Sequence, residues 1–330
     1  MKHILLIGGA GYIGSVITAH FLKNGYRISV LDNLIYNNHF ALHPYVGDPD
    51  YNFIYGDINN THDLEKASQG ITDVILLAGL VGEPVTSKYP GESNKINNTG
   101  IKKCINFFNG RGIDKLIFIS TCSNYGKIPE EELADEDYQL KPLSLYAKDK
   151  VNNELYLLDK KEKVDYTGVV LRFGTAFGLS PRMRFDLTIN EFARILTLNQ
   201  ELLVFDEYTW RPYCHVRDFA RLLDIVIKAD PALVNFEVFN VGGDKNNFTK
   251  KMIVEEILKY IPTGKVKYGS NGNDPRNFRV SFSKVKQTLG FTPKYTVPEG
   301  IEELIQSFNI GLYGDYMINK NKYGNFEIKY

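Results

Sequence analysis

The chain has 330 residues, 39 basic and 39 acidic side chains and a formal net charge of zero, which gives no electrostatic basis for binding nucleic acid or an anionic membrane. Its length suits one large α/β domain plus a smaller lobe, and no apolar run is long enough to cross a bilayer. Cys104, Cys122 and Cys214 are far apart and six histidines are scattered, so the sequence carries neither a disulfide frame nor metal-ligand spacing and reads as a cytoplasmic protein with reduced thiols.

The N-terminus runs directly into His3-Ile-Leu-Leu-Ile7, an apolar run of the kind a buried parallel strand requires, so no signal peptide is expected. Gly8-Gly-Ala-Gly-Tyr-Ile-Gly14 follows and opens a helix-like segment, Ser15-Val-Ile-Thr-Ala-His-Phe-Leu22. Gly9, Gly11 and Gly14 satisfy G-x-G-x-x-G, and Gly8, Gly11 and Gly14 satisfy G-x-x-G-x-x-G; Tyr12 and Ile13 lie inside the turn. Such glycines permit a tight turn and a close backbone approach to a pyrophosphate. The helix N-terminus then presents its dipole to the phosphates. The next strand, Ile28-Ser-Val-Leu31, ends at Asp32, 18 residues past Gly14. A carboxylate there accepts from both ribose hydroxyls and repels a 2′-phosphate, which favours NAD over NADP. The plainer reading is that Asp32-Asn33 only caps a loop.

Phe53-Ile-Tyr55 reads as a third strand, followed by Gly56-Asp57-Ile58, where an acid can accept from an adenine amino group. Thr72-Asp-Val-Ile-Leu-Leu77 reads as a fourth and runs into Ala78-Gly79, small enough for a cofactor to lie against the strand end. Residues 94–108 read as a helix containing Asn97 and Asn98, which are poor helix formers. Asn97 is the one expected to hold a structural or water-binding role in the cofactor site.

Lys115-Leu-Ile-Phe-Ile-Ser120 reads as a strand that delivers Thr121, and Ser144-Leu-Tyr-Ala-Lys-Asp-Lys150 opens a helix. Tyr146 and Lys150 are four residues apart and share one helix face. A hydroxyl, a phenol and an ammonium then converge on one substrate oxygen. Free tyrosine titrates near 10, so a phenolate at neutral pH needs roughly 3–4 kcal/mol of help. An ammonium ~4 Å away at an effective dielectric of ~20 supplies roughly 4 kcal/mol, which is the physical reason for Tyr-x-x-x-Lys as an acid/base pair. The spacing alone decides nothing, because the chain holds 21 tyrosines and the same spacing recurs at Tyr156/Lys160 and Tyr316/Lys320. Most such pairs are solvated helix faces. What separates Tyr146 is the strand end at Thr121, 25 residues earlier.

Tyr166–Phe173 and Phe236–Val241 add further strands, and short apolar strands alternating with helices call for a parallel, doubly wound sheet. Beyond Gly174 the character changes. Gly178-Leu-Ser-Pro-Arg-Met-Arg184 is a basic loop, residues 186–198 form an amphipathic helix, and Asn273-Asp-Pro-Arg276 is a polar turn. Arg182, Arg184, Arg211 and Arg276 recur in loops, where guanidinium forks suit a diphosphate; the alternative is surface solubility. The last twenty residues are polar and read as an appended tail.

Assembled, these pieces resemble the extended short-chain dehydrogenase/reductase family, the nucleotide-sugar epimerases and dehydratases, from Ile4 to about Ile310. The matches are the glycine turn, Asp32-Asn33, Gly56-Asp57-Ile58, Asn97, Ser120-Thr-x-x-x-Tyr-Gly126, Tyr146/Lys150, Arg172 with Gly178, Arg211 with Asp218, Asn240-Val-Gly242 and Leu289-Gly-Phe-x-Pro293. The resemblance implies an α/β fold: a Rossmann-type doubly wound sheet with a smaller, discontinuous C-terminal lobe. Residues 1–174, with 215–242 returning to them, would bind NAD; residues 175–214 and 243–330 would bind a nucleotide-diphospho-sugar. It also implies that Tyr146 removes a proton from the sugar C4 hydroxyl while hydride passes to NAD. Thr121 donates to the same oxygen, and Lys150 holds the phenolate and the nicotinamide ribose. Ser123, Thr175, Arg182, Arg184, Arg211 and Arg276 would contact substrate. A homodimer through a four-helix bundle is implied too, with Ile101, Ile105, Leu155 and Leu158 as apolar positions facing it.

Two departures bear on the reaction. The 4,6-dehydratases carry an acid just after the threonine, where this chain has Cys122 and Ser123, and the sugar-contacting asparagine is here Thr175. The expected activity is therefore 4-epimerisation. The alternatives are a nucleotide-heptose 4-dehydrogenase, as in a bacterial subgroup that Ser180–Arg184 and Asp274–Arg276 resemble, or a 4-keto reductase; behind them stand a 4,6-dehydratase and an NAD-sensing regulator.

Overall fold

A computed structural model describes residues 1–270, 272 and 274–329. Asn273, the first residue of the expected polar turn, and Tyr330 at the end of the tail lie outside the described residues.

Seven strands build the main sheet: β1 (His3–Ile7), β2 (Arg27–Asp32), β3 (Tyr51–Tyr55), β4 (Asp73–Leu76), β5 (Lys115–Thr121), β6 (Thr167–Phe173) and, later in the chain, Glu237–Val241. The order is β3-β2-β1-β4-β5-β6, with Glu237–Val241 on the far edge, and every pairing is parallel. Helices cover both faces, which is why Ile4–Ile7 and residues 116–118 are fully buried and read as unbroken apolar runs. The chain reverses its direction of travel across the sheet between β1 and β4. Carboxyl ends of strands at such a switch point form a crevice where ligands bind.

The helix expected at 94–108 is not regular. Asn94–Gly100 is a π-helical turn that passes into an α-helix over Ile101–Phe107. The widening coincides with two tertiary contacts of Asn97. Asn97 turns its amide onto Leu80, donating to the carbonyl at 3.0 Å and accepting from the N–H at 2.8 Å. Its own carbonyl accepts from Asn153 Nδ2 at 2.5 Å, so an ordinary helix ladder is interrupted there.

The second lobe contains β7 (Thr175–Phe177), β8 (Leu202–Phe205) and β9 (Trp210–His215) and, after the chain returns to the main sheet as its edge strand β10 (Glu237–Val241), β11 (Asn247–Thr249) and β12 (Val266–Gly269). β9 is the centre of a three-stranded sheet between β11 and β7, and β8 pairs with β12. Helices Thr188–Thr197, Lys250–Tyr260 and Val297–Asn309 pack on these strands through Ile189, Leu196, Ile253, Ile257 and Leu304. The tail is not loosely appended. Tyr316 and Tyr323 are buried with Tyr313 against Phe185, which also removes Tyr316/Lys320 as an acid/base pair. Among the described residues no helix is long and apolar enough to cross a membrane, and no cluster of ligating side chains is placed to hold a metal ion.

Candidate active site

The carboxyl ends of β1, β2, β4 and β5 and the loops of the second lobe enclose one cleft with a cavity of about 500 Å³. At one end is the glycine turn. Gly8 has φ +85°, and a β-carbon on it would sit 2.6 Å from the Ala78 backbone. A β-carbon on Gly14 would meet the Gly9 carbonyl oxygen at 2.5 Å, so this glycine lets the helix close on the turn. Helix Tyr12–Lys23 begins at Gly11 with no side-chain cap. Its first N–H groups are thereby left for an anion in the cleft.

Asp32, at the end of β2, accepts from Ala10 N at 3.0 Å and Leu34 N at 2.8 Å. It therefore caps the loop and lines the cleft at once, and each oxygen keeps further accepting capacity. Burial pushes its carboxyl up, opposed by those two N–H groups. Asn33, Ile58, Ala78 and Gly79 line the cleft beside it. Asp57 lines it too, with Oδ1 held by Asn59 N at 2.8 Å. Asn97 is the exception among the expected cofactor residues: it lies beneath the loop after β4, tied to Leu80, and does not line the cavity.

The reactive side chains meet at the middle. Thr121 ends β5, and its Oγ1 accepts from Ser123 N at 3.1 Å, which leaves the hydroxyl proton free to donate. Helix Leu145–Leu158 is capped by Ser144, whose Oγ accepts from Ala147 N at 3.1 Å, and this start sets Tyr146 in the first turn. Lys150 lies one turn later, its ammonium 5.8 Å from the Tyr146 ring centroid. The expectation that Lys150 depresses the phenol is not met in this arrangement. The ammonium donates to the Ile119 carbonyl at 2.6 Å. Burial pushes the Tyr146 phenol up to about 12, and the cations that oppose it are Arg184 and Arg276. Burial also pulls Lys150 down to about 8, against Glu154 and Asp149.

A buried polar web stands behind these residues. Arg172 on β6 forks onto Glu154 at 2.8 Å and 3.1 Å. Glu154 also accepts from Ser120 Oγ and, at 2.6 Å, from Asn124 Nδ2. Arg172 reaches Tyr125, whose hydroxyl donates to Asn240 Oδ1 at 2.7 Å. Sequence patterns alone did not single out Glu154 and Asn124. The signal was available for one of them: Glu154 sits four residues past Lys150 and shares its helix face.

The far end of the cleft is cationic. Arg276 forks onto Asp274 at 2.7 Å through both Nε and Nη2, and Arg211 Nη2 reaches the same carboxylate at 3.0 Å. Arg276 also donates to Ser123 Oγ at 3.2 Å. These two arginines are thus not solvated surface groups; they converge on one carboxylate that occupies an anion position. Lys250, a cation that no sequence motif singled out, lines the cleft next to them, as does Thr175 at the start of β7. Arg184 pairs with Asp186. Arg182 departs from its expected place on the substrate side: it is buried with its guanidinium 5.1 Å from the Tyr36 ring centroid and acts on Asp32, at the glycine-turn end. The look-alike pair Tyr156/Lys160 lies outside, with the Tyr156 hydroxyl bonded to Asn106.

The glycine cradle, the uncapped helix start and Asp32 fit a dinucleotide, and the rest of the cleft leaves room for a second ligand against Thr121 and Tyr146. Comparison with known proteins agrees. The UDP-arabinose 4-epimerase 1 of Arabidopsis thaliana is 27% identical over 90% of this chain and 76% of its own length. The UDP-glucose 4-epimerase of Corynebacterium glutamicum is 25% identical over 94% of this chain and 96% of its own. The UDP-glucuronic acid 4-epimerase of Bacillus cereus, solved with UDP-glucuronic acid and NAD, superposes with a TM-score of 0.84 at 25% identity over 94% of this chain and all of that one. The profile of the NAD dependent epimerase/dehydratase family matches residues 4–242, and the chain belongs to that family.

Proposed function

We propose that the protein is a 4-epimerase of a nucleotide-diphospho-sugar. NAD is the cofactor of its family, and when bound it supplies the hydride acceptor and, reduced, the donor for the return. The observation that carries the reading is the convergence of Thr121, Tyr146 and Lys150 in one cleft with a dinucleotide cradle at one end and Arg211 and Arg276 at the other. In this reading the Tyr146 oxygen takes the proton of the sugar hydroxyl and later gives it back. Thr121 donates to the same oxygen. A phenol held up at about 12 stays protonated at neutral pH; the charges of Arg184 and Arg276 and of oxidised nicotinamide favour its ionised form. Arg211 and Arg276 exchange Asp274 for the diphosphate, which their forks can take in its place.

Epimerisation is favoured over dehydration by the two residues after Thr121. Cys122 is buried with its thiol on the Arg172 carbonyl, and Ser123 is held by Arg276, so neither position offers an acid to eliminate water. In this division residues 1–174 and 215–242 serve the cofactor, and 175–214 and 243–330 serve the sugar nucleotide. We also propose a cytoplasmic homodimer formed through the 94–107 and 145–158 helices. Ile101 and Ile105 are not part of its face, since both are buried in the protomer core; Leu155, 59% exposed, and the Asn106/Tyr156 pair are.

The test is to incubate purified holoenzyme with UDP-hexoses, UDP-pentoses and UDP-hexuronates and separate the products. A 4-epimer formed with no net change in nicotinamide absorbance is the expected result. Accumulation of NADH with a 4-keto product would replace the epimerase by a 4-dehydrogenase.

A further inference from the structure

The chain end and Arg182 are left unexplained by that reaction. Arg182 is 2% exposed, one of the largest fully buried side chains. Its Nη2 donates to the Gly324 carbonyl at 3.0 Å, while Asp186 and Asp32 act on it through space without a hydrogen bond. Burial and the neighbouring Arg184 pull it down to about 10; Asp186 is engaged by Arg184, and among the described residues no carboxylate forms an ion pair with Arg182. It borders the same cavity as the uncapped glycine turn.

The segment after Tyr323 crosses that end of the cleft. Phe185 N donates to the Tyr323 carbonyl at 2.7 Å, Asn325 Nδ2 to the Val81 carbonyl at 3.2 Å, and Lys329 N to the Ile35 carbonyl at 2.8 Å. Glu327 pairs with Lys88 at 3.2 Å. Ile35 lies after β2 and Val81 after β4, the two strands that flank β1 and its glycine turn. The chain end therefore bridges both sides of the turn. Asn325 is 8% exposed, its Oδ1 is buried without a partner, and it lines the cavity with Phe326.

We propose that Arg182 and residues Gly324–Lys329 form a clamp on the dinucleotide, the guanidinium set against its pyrophosphate and the chain end strapped across it, so that the cofactor stays resident between turnovers. The proposal rests on NAD occupying this cleft. A pyrophosphate lying on the glycine turn gives Arg182 the anion it lacks, through charge-assisted bonds. The side-chain Oδ1 of Asn325 accepts from a cofactor hydroxyl or amide. Exit then requires the strap to leave Ile35 and Val81 first.

Three variants test it: deletion of residues 325–330, which keeps Tyr323 in its aromatic cluster; Asn325→Ala; and Arg182→Lys. The readout is the NAD retained after gel filtration and its release rate, followed by trapping free NAD with an auxiliary dehydrogenase. Nucleotide-sugar affinity is measured alongside. Wild type should retain NAD, and the deletion should release it at least about tenfold faster. Asn325→Ala and Arg182→Lys should accelerate release to a smaller degree, with nucleotide-sugar affinity within about twofold of wild type. Unchanged release in the deletion and in Asn325→Ala overturns the clamp, and loss of sugar-nucleotide affinity with unchanged release in Arg182→Lys moves that residue to the substrate. A wild type that binds no NAD overturns the cofactor reading itself.

Discussion

Lys150→Met separates the chemical value of the lysine from its cost to the fold. Lys150 is 4% exposed, and its ammonium is held at about 8, against an ordinary 10.5. That depression corresponds to about 3 kcal/mol against the protonated form in the folded state. Between pH 8 and 10.5 the unfolded chain holds a proton that the folded chain has released. Wild-type stability therefore rises with pH across this window on account of Lys150 and loses that increment as pH falls to 8. Lys150→Met has no such proton to lose. At neutral pH it escapes the burial cost but loses the charge-assisted hydrogen bond to the Ile119 carbonyl, about 1.5–3 kcal/mol, so the two proteins should be close in stability there. By pH 10 wild type should have gained about 2–3 kcal/mol relative to the variant. The assay is urea denaturation of the cofactor-free proteins at pH 7, 8, 9 and 10, taking the difference between them at each pH to cancel the titration of other groups. A difference constant within about 0.5 kcal/mol over that range refutes the argument.

Glu154→Gln leaves Arg172 buried without its charge partner and should cost about 3–5 kcal/mol in the same assay; a loss below about 1 kcal/mol contradicts the web's role behind Thr121. Asp32→Ala should weaken NAD more than NADP by calorimetry, and a wild type that binds NADP at least as tightly rules out the ribose assignment. Arg276→Met should lower nucleotide-sugar affinity by about 1.5–3 kcal/mol while NAD stays bound. Unchanged affinity would leave Arg276 as a partner of Asp274 alone.

The sheet is legible in the sequence because its strands are buried on both faces and so are written as plain apolar runs. The run Ile28–Leu31 lies inside the strand Arg27–Asp32, and Tyr166–Phe173 overlaps the strand Thr167–Phe173. The cofactor end is legible because glycine spacing and one carboxylate encode a close backbone approach. The failures share a cause: each depends on a contact distant in sequence. The π-turn at Asn94–Gly100 lies where Asn97 and Asn153 meet across the fold. Ile101 and Ile105 are apolar for the protomer's own core, and periodicity cannot tell a core from an interface. Arg182 sits in the same loop as Arg184 but is drawn to the Gly324 carbonyl, 142 residues later. The tail reads as polar because its anchors, Tyr313, Tyr316 and Tyr323, find their apolar partner Phe185 far back in the sequence.

The central claim is that Tyr146 is the base, and single-turnover nicotinamide absorbance measures it. NAD-loaded wild type and Tyr146→Phe are mixed rapidly with the nucleotide sugar that wild type epimerises, with Tyr156→Phe as the control for spacing alone. Tyr146→Phe should bind cofactor and substrate yet show essentially no hydride transfer, Thr121→Ala should lose roughly 10²–10³-fold, and Tyr156→Phe should match wild type. Hydride transfer in Tyr146→Phe at the wild-type rate would contradict the account at its centre.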